Sequence, residues 1–489
     1  MELRQRLLLS GLLWLTATAS AAAADFENLG KLAAQGARVT AAVWDLDADI
    51  QLTQLQSTQR LIPASLSKIV TAAAALETWA PDKTFPTEIL ATAAARSGAL
   101  RGDLILRGSG DATLDETTLW ALAAQLRSSG LKRVEGRLIV ERAPFGELVC
   151  DTIDRCNALR RSARAYNAAP SALGVNYGSW CVAFHGTTVG QPAQVGGCAT
   201  GDLPIALEGR VMTVAGSGAP RVDRSTDEQG DRLSVGGTIA AGEIRQIHRA
   251  MSDPAAGAGL ILRSILLQSG VTITGAVETT LSAPGNPQVL AHVDGLLLQE
   301  QVGRMMRWSN NYIADVLTMG IALERNKTAP ASLAVASQVL SKLVINARVP
   351  SPAGSATAAA NDLPVLDSGS GLTTTNQLSA LDFIGVLRRE YQDSRRFPAF
   401  LGSFVVPRDA SFDFLQRGNA DWLDRVALKT GSLSEPVSVN GIAGYLRKKS
   451  GGWMAFAIIV NGSDKLRQIG HERALSAARA DLEALLKRY

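Results

Sequence analysis

Ser65 and Lys68 stand three residues apart at the head of an apolar run, residues 61–79. On a helix that spacing puts both side chains on one face, a turn apart. A serine beside an amine, at the positive end of a helix, is the arrangement of an activated nucleophile. The amine can take the serine's proton only if burial or a nearby positive charge lowers its pKa. Two more short patterns carry polar chemistry. Lys429-Thr430-Gly431-Ser432 offers a cation and a hydroxyl for a carboxylate, and a glycine that lets a substrate backbone come close. Ser309 and Asn311 offer a hydroxyl and an amide two residues apart. Each pattern is common alone. Ser-x-x-Lys by itself more often marks an ordinary amphipathic helix with a polar first turn.

The elements around these residues can be read from periodicity. Leu66, Ile69, Val70, Ala73 and Leu76 recur at the spacing of one helix face, and Pro63 suits the helix start. Residues 425–432, 440–447 and 453–461 read as three strands, the last two joined by a tight turn through 449–452. That places the Lys-Thr-Gly pattern at a strand end. Residues 37–54 read as a hairpin just before the serine helix. Ser309 falls between two helical runs, 296–308 and 312–323. Further helical runs are 116–126, 258–269, 376–391 and 468–488. The last has a small, alanine-rich apolar face, suited to packing on a sheet more than to a membrane surface. Residues 107–111 and 367–371 read as glycine-rich turns. No Lys-Ser/Thr follows the first, so it is not a phosphate cradle. Residues 352–361 read as a surface loop.

The chain has 489 residues and a formal net charge of +4. That length allows two or three domains, and the charge balance gives no case for nucleic acid. Arg4 and Arg6, a short apolar core and the small residues Ala22 to Ala24 make residues 1–24 an expected export signal. No later stretch has the roughly 18 apolar residues of a membrane span. The four cysteines, Cys150, Cys156, Cys181 and Cys198, fall in one stretch, and in an exported chain they read as two disulfides. Zinc is the competing reading. Its spacing is wrong, and only His185 is near register. The scattered His248, His292 and His471 give no base for a Ser-His-Asp arrangement.

Ser-x-x-Lys, Ser-x-Asn and Lys-Thr-Gly in this order, each in the right kind of element, recur in β-lactamases and penicillin-binding proteins. The chain specifically resembles the class C low-molecular-mass penicillin-binding proteins, the D-alanyl-D-alanine carboxypeptidase/endopeptidases of the penicillin-binding protein 4 type. The resemblance runs through Pro63-Ala64-Ser65-x-x-Lys68, Gly102-Asp103-Leu104, Gly110-Asp111-Ala112-Thr113-Leu114, Ser309-Asn310-Asn311-Tyr312, Gly369-Ser370-Gly371-Leu372 and Lys429-Thr430-Gly431-Ser432. Lys68 and Ser309 lie 241 positions apart, far more than simple β-lactamases use there. Two departures stand out. Asn310 occupies a position where the family often has Asp. Residues 151–164 are arginine-rich where the family has a tryptophan- and aspartate-rich stretch, with Asp154 left as a contact for a substrate amine.

The resemblance implies an α/β fold. Its core is a β-lactamase/transpeptidase-like antiparallel sheet flanked by helices, built from residues 25–92 and 265–489. A β-rich module, 93–264, is inserted and holds all four cysteines. The implied catalytic residues are Ser65, Lys68, Ser309 and Asn311. Lys429, Thr430 and Ser432 are the implied substrate-binding residues, and neither metal nor organic cofactor is needed. The positive charge of Lys429 is expected to help keep Lys68 neutral. The implied substrates are peptidoglycan peptides ending in D-Ala-D-Ala and their cross-links, in the periplasm, with β-lactams as covalent inhibitors. The resemblance also allows loose contact with a membrane surface and a homodimer. The rival readings are a secreted serine β-lactamase and a catalytically silent wall-binding protein.

Overall fold

Strands Arg38–Asp45 (β1) and Ile50–Leu55 (β2) pair antiparallel across a turn, as the hairpin pattern predicts. They join strands Val426–Leu433 (β3), Val439–Arg447 (β4) and Trp453–Asn461 (β5) in one antiparallel sheet of order β2-β1-β5-β4-β3. The computed structural model describes residues 25–147, 157, 162–199, 201–327, 329–331, 333–349 and 363–489. The expected signal segment 1–24, Cys150, Cys156, Asp154 and the loop 352–361 lie outside the described residues. The chain divides into two compact units. One comprises the chain up to Pro81, Val302–Ser309 and Ser337–Tyr489; the other comprises Asp82–Gln301 and Asn310–Ala336.

The five-stranded sheet is the centre of the first unit. Val39, Ala41 and Val43 share one face of β1, as alternation predicts, and they pack under helices Glu27–Ala34 (α1) and His471–Arg488. The intervening Thr40, Ala42 and Trp44 are buried too. Helices cover both faces of the sheet, so its inner strands read as continuous apolar runs. Ser67–Thr78 (α2) and Ala380–Tyr391 (α3) lie on the face opposite α1. Helix α2 departs from the expected amphipathic stripe. Every residue from Ser67 to Leu76 is buried. A helix enclosed on all sides is apolar all round, and its five small residues from Thr71 to Ala75 permit close packing.

Other boundaries moved for local reasons. The run expected over 376–391 becomes helical only at Ala380, because Ser379 and Asp382 form a reciprocal capping box there. The last helix starts at His471, after Gly470, not at 468. Helices α1 and Leu333–Asn346 were not legible from the sequence pattern.

The second unit carries a mixed sheet whose order is Val277–Thr280, Leu138–Glu141, Leu104–Gly108, Thr87–Ala91, Gln288–Val293. Helices Glu116–Ser128 and Pro254–Gln268 pack on it. Asp115 and Asp253 cap these two helices through their carboxylates, which accept from backbone N–H groups of the first turn. A second, antiparallel sheet of Gln194–Gly197, Ser179–His185 and Ile244–Ala250 carries a Cys181–Cys198 disulfide. That bond removes two of the four sulfurs a zinc site would need. Among the described residues no helix is long and apolar enough to cross a membrane.

Candidate active site

The serine does not sit in the first turn of the α-helix. Ala64–Leu66 form a short 3-10 turn, and α2 begins only at Ser67. Ser65 therefore lies just ahead of the helix's positive end, half-buried. The turn rests on the sheet because two glycines face each other on adjacent strands, Gly431 on β3 and Gly441 on β4. A Cβ on Gly431 would come 2.7 Å from the Pro63 carbonyl oxygen, and one on Gly441 would come 2.8 Å from a Leu66 methyl. The missing side chains make the hollow that Leu66, itself fully buried, fills.

Lys68 Nζ lies 3.1 Å from Ser65 Oγ and donates to the Ser370 carbonyl at 2.6 Å. The lysine is fully buried. A second lysine–serine pair belongs to the same unit. Lys429 Nζ donates to Ser309 Oγ at 2.9 Å and to the Thr430 carbonyl at 2.7 Å. Burial pushes the Lys429 ammonium down to about 7, because a charge out of water is costly. Lys429 is fully charged only well below about pH 7, so the expectation that its charge helps keep Lys68 neutral can apply only there. Thr430 is half-buried and Ser432 is exposed. Both lie on β3, the edge strand of the sheet.

Asn311 is grouped with the second unit, since the division falls between Ser309 and Asn310. It opens helix Asn311–Asn326, which Asn310 caps by accepting from the Ile313 N–H at 3.0 Å. Its Nδ2 donates to the Tyr166 carbonyl at 3.1 Å. Two other patterns that looked distinctive are structural in this unit. Asp111 is buried and accepts from both the N–H and the hydroxyl of Thr113. Asp103 accepts from the backbone and guanidinium of Arg137.

Sequence reasoning missed one participant. Residues 367–371 read as a glycine-rich turn that shares in the family resemblance, with no chemical role for any of its groups, yet the Ser370 carbonyl contacts Lys68. A backbone carbonyl has no residue-type signature, so no motif marks it.

A buried lysine beside a serine, a second such pair and an edge strand in an α/β fold define a class, the serine acyl-transfer enzymes of penicillin-binding type. The chain belongs to the D-Ala-D-Ala carboxypeptidase 3 (S13) family, whose profile matches residues 20–482. It is a D-Ala-D-Ala carboxypeptidase, a hydrolase of that family. Among curated relatives it is 30% identical to a D-alanyl-D-alanine carboxypeptidase of Actinomadura sp. (strain R39), covering 88% of this chain and 79% of that one. The fold matches penicillin binding protein 4 (DacB) of Haemophilus influenzae at a TM-score of 0.72 and 21% identity, over 94% of this chain and 99% of that one. A second structure of that protein holds a β-lactam. A predatory peptidoglycan endopeptidase of Bdellovibrio bacteriovorus matches at a TM-score of 0.50 and 13% identity, over 92% of this chain and 93% of that one.

Proposed function

We propose that this carboxypeptidase works through an acyl-enzyme on Ser65 and also opens peptide cross-links. The observation that carries the reading is the pair of lysine–serine contacts, 3.1 Å at Ser65 and 2.9 Å at Ser309, within one unit. Ser65 Oγ attacks the carbonyl of the penultimate D-alanine while neutral Lys68 takes its proton. Ser309 passes a proton to the departing amine, and the amide bond breaks. Lys429 and Thr430 hold the terminal carboxylate, and Asn311 holds the substrate amide. The N–H groups of Ser65 and Ser432 stabilise the oxyanion, by about 3 kcal/mol per donor. Water then releases the acyl group. A cross-link differs from a stem-peptide terminus in the leaving amine, so one machinery serves both. A β-lactam presents the same amide in a ring and acylates the same serine.

The wider context follows from the same reading. Residues 93–264 form a module inserted into the catalytic core. In support, residues 82–301 fall in one compact unit while both lysine–serine pairs fall in the other. The protein is exported to the periplasm after loss of residues 1–24, where the Cys181–Cys198 bond can persist.

The test is incubation with a muropeptide ending in D-Ala-D-Ala, then a cross-linked dimer, with products analysed by mass. Loss of one alanine and conversion of dimer to monomers are expected. Ser65→Ala should abolish both reactions and the covalent attachment of labelled penicillin. Labelling that persists in that variant removes Ser65 as nucleophile.

A further inference from the structure

Asn376 takes no part in any motif read for chemistry, yet it is fully buried and both polar atoms of its amide are hydrogen-bonded. Its Nδ2 donates to Ser67 Oγ at 2.9 Å and to the Ser368 carbonyl at 2.8 Å, and its Oδ1 accepts from the Ser368 N–H at 3.2 Å. Ser67 opens α2, between Ser65 and Lys68. Ser368 opens the turn that carries the Ser370 carbonyl. The amide therefore ties the start of the lysine's helix to the turn whose carbonyl accepts the lysine's N–H.

Other contacts close the same loop. Thr71, three residues beyond Lys68 on the same helix face, donates through Oγ1 to the Gly369 carbonyl at 2.9 Å. The Ser368 and Ser370 hydroxyls share a hydrogen bond of 2.9 Å, and the Leu372 N–H donates to Ser370 Oγ. Backbone hydrogen bonds in both directions join Leu61 to Leu378, so the segment is anchored on either side of the nucleophile turn.

We propose that Asn376 is a positioning residue for acylation, acting through the Ser370 carbonyl on Lys68. The inference rests on the reading of Ser65 as nucleophile and Lys68 as base. A neutral amine has two N–H bonds and one lone pair. At 2.6 Å the Ser370 carbonyl takes one N–H and stops free rotation of the amino group. The lone pair can then face the Ser65 hydroxyl, 3.1 Å away. If the turn drifts, the amine loses this reference, and the proton must leave Ser65 along a poorer line. The serine and the carboxylate site remain in place. The loss should therefore appear in the chemical step and not in substrate binding.

The experiment separates those two quantities with a chromogenic β-lactam in stopped flow, on the full chain. Asn376→Ala and Ser67→Ala should each lower the acylation rate constant by about tenfold or more, with the dissociation constant of the initial complex within about twofold. The double variant should lose little beyond Asn376→Ala alone, because both substitutions cut one tether. Acylation within about twofold of the unchanged protein in both single variants, or a loss confined to the dissociation constant, overturns the inference. Should Asn376→Ala lack a cooperative melt, Ser67→Ala decides by the same thresholds. Penicillin labelling that survives Ser65→Ala would instead bring down the nucleophile reading itself.

Discussion

Lys429 shows how burial sets the working range of one side chain. Its ammonium is driven down to about 7 by desolvation, while a substrate's terminal carboxylate stays ionised throughout. On the proposed role of Lys429 in holding that carboxylate, the free enzyme presents a cation to it below about pH 7 and a neutral amine above. In the non-reacting Ser65→Ala variant, affinity for a D-Ala-D-Ala peptide should be flat below pH 7 and weaken above it. The limiting slope is about tenfold per pH unit, and proton uptake should accompany binding. Calorimetry in buffers of different ionisation enthalpy reads both. Lys429→Arg, always charged, should give a flat profile. A second residue-scale expectation concerns release of a bound β-lactam. Class A β-lactamases deacylate with a dedicated glutamate that holds a water. Between the Ser-x-Asn and Lys-Thr-Gly patterns this chain has only Glu324, Glu390 and no third glutamate. Glu390 is fully buried against Arg396, with its carboxyl raised by desolvation, and Glu324 pairs with Lys327. Glu390 is thus held in a buried ion pair and Glu324 in an exposed one at the end of its own helix, and neither falls in a loop of the kind that holds a water for deacylation. The penicilloyl group should persist far longer than a peptide acyl group, and release rates equal to peptide turnover would favour the β-lactamase reading.

At the scale of elements, the nucleophile turn is held by what its neighbours lack. Gly371 has φ +71°, and a Cβ there would lie 1.9 Å from the Ala64 carbonyl oxygen. Gly371→Ala therefore meets both a disfavoured backbone region and a backbone atom that cannot step aside. It should destabilise the protein by about 1–3 kcal/mol in urea unfolding and slow acylation at Ser65. Gly303 is the contrast. It lies within helix Leu298–Arg307, and a Cβ there would meet nothing within 4 Å. Gly303→Ala should raise stability by about 0.5–1 kcal/mol and leave acylation unchanged. If the two substitutions had the same effect, close packing around the turn would not be what holds it.

At the scale of the molecule, the two units use different means of support. The first is a sheet covered by helices on both faces, with a large apolar core. The second is richer in short strands and carries the Cys181–Cys198 bond, which closes a span of 17 residues. A loop of about that length is worth about 3 kcal/mol of chain entropy in the unfolded state. Replacing both cysteines with alanine should lower the melting transition of the second unit, read by calorimetry, by about that free energy. A transition that does not move would mean that the short strands carry the unit unaided. Peptide mapping without reductant would identify the Cys181–Cys198 peptide directly.

The amino-acid sequence by itself carried the fold class, through the family resemblance of its motifs, and the groups proposed to react. Strand alternation in residues 425–461 and the helical period after Ser65 are local properties of the chain, and local properties survive without a structure. So do the three short patterns, because their chemistry lies in side-chain type and spacing. Tertiary structure decided what depends on distant partners. It turned an expected amphipathic helix into one buried on every side, because what covers a helix is not written in its own period. It moved the start of α3 to the capping box at Ser379. It gave Lys429 its low proton affinity, which burial alone creates. It also brought the Ser370 carbonyl to Lys68 across 302 positions of chain, in a turn whose Ser368 carbonyl accepts from the Asn376 amide. A backbone atom and a buried amide can act only through the surroundings that folding provides.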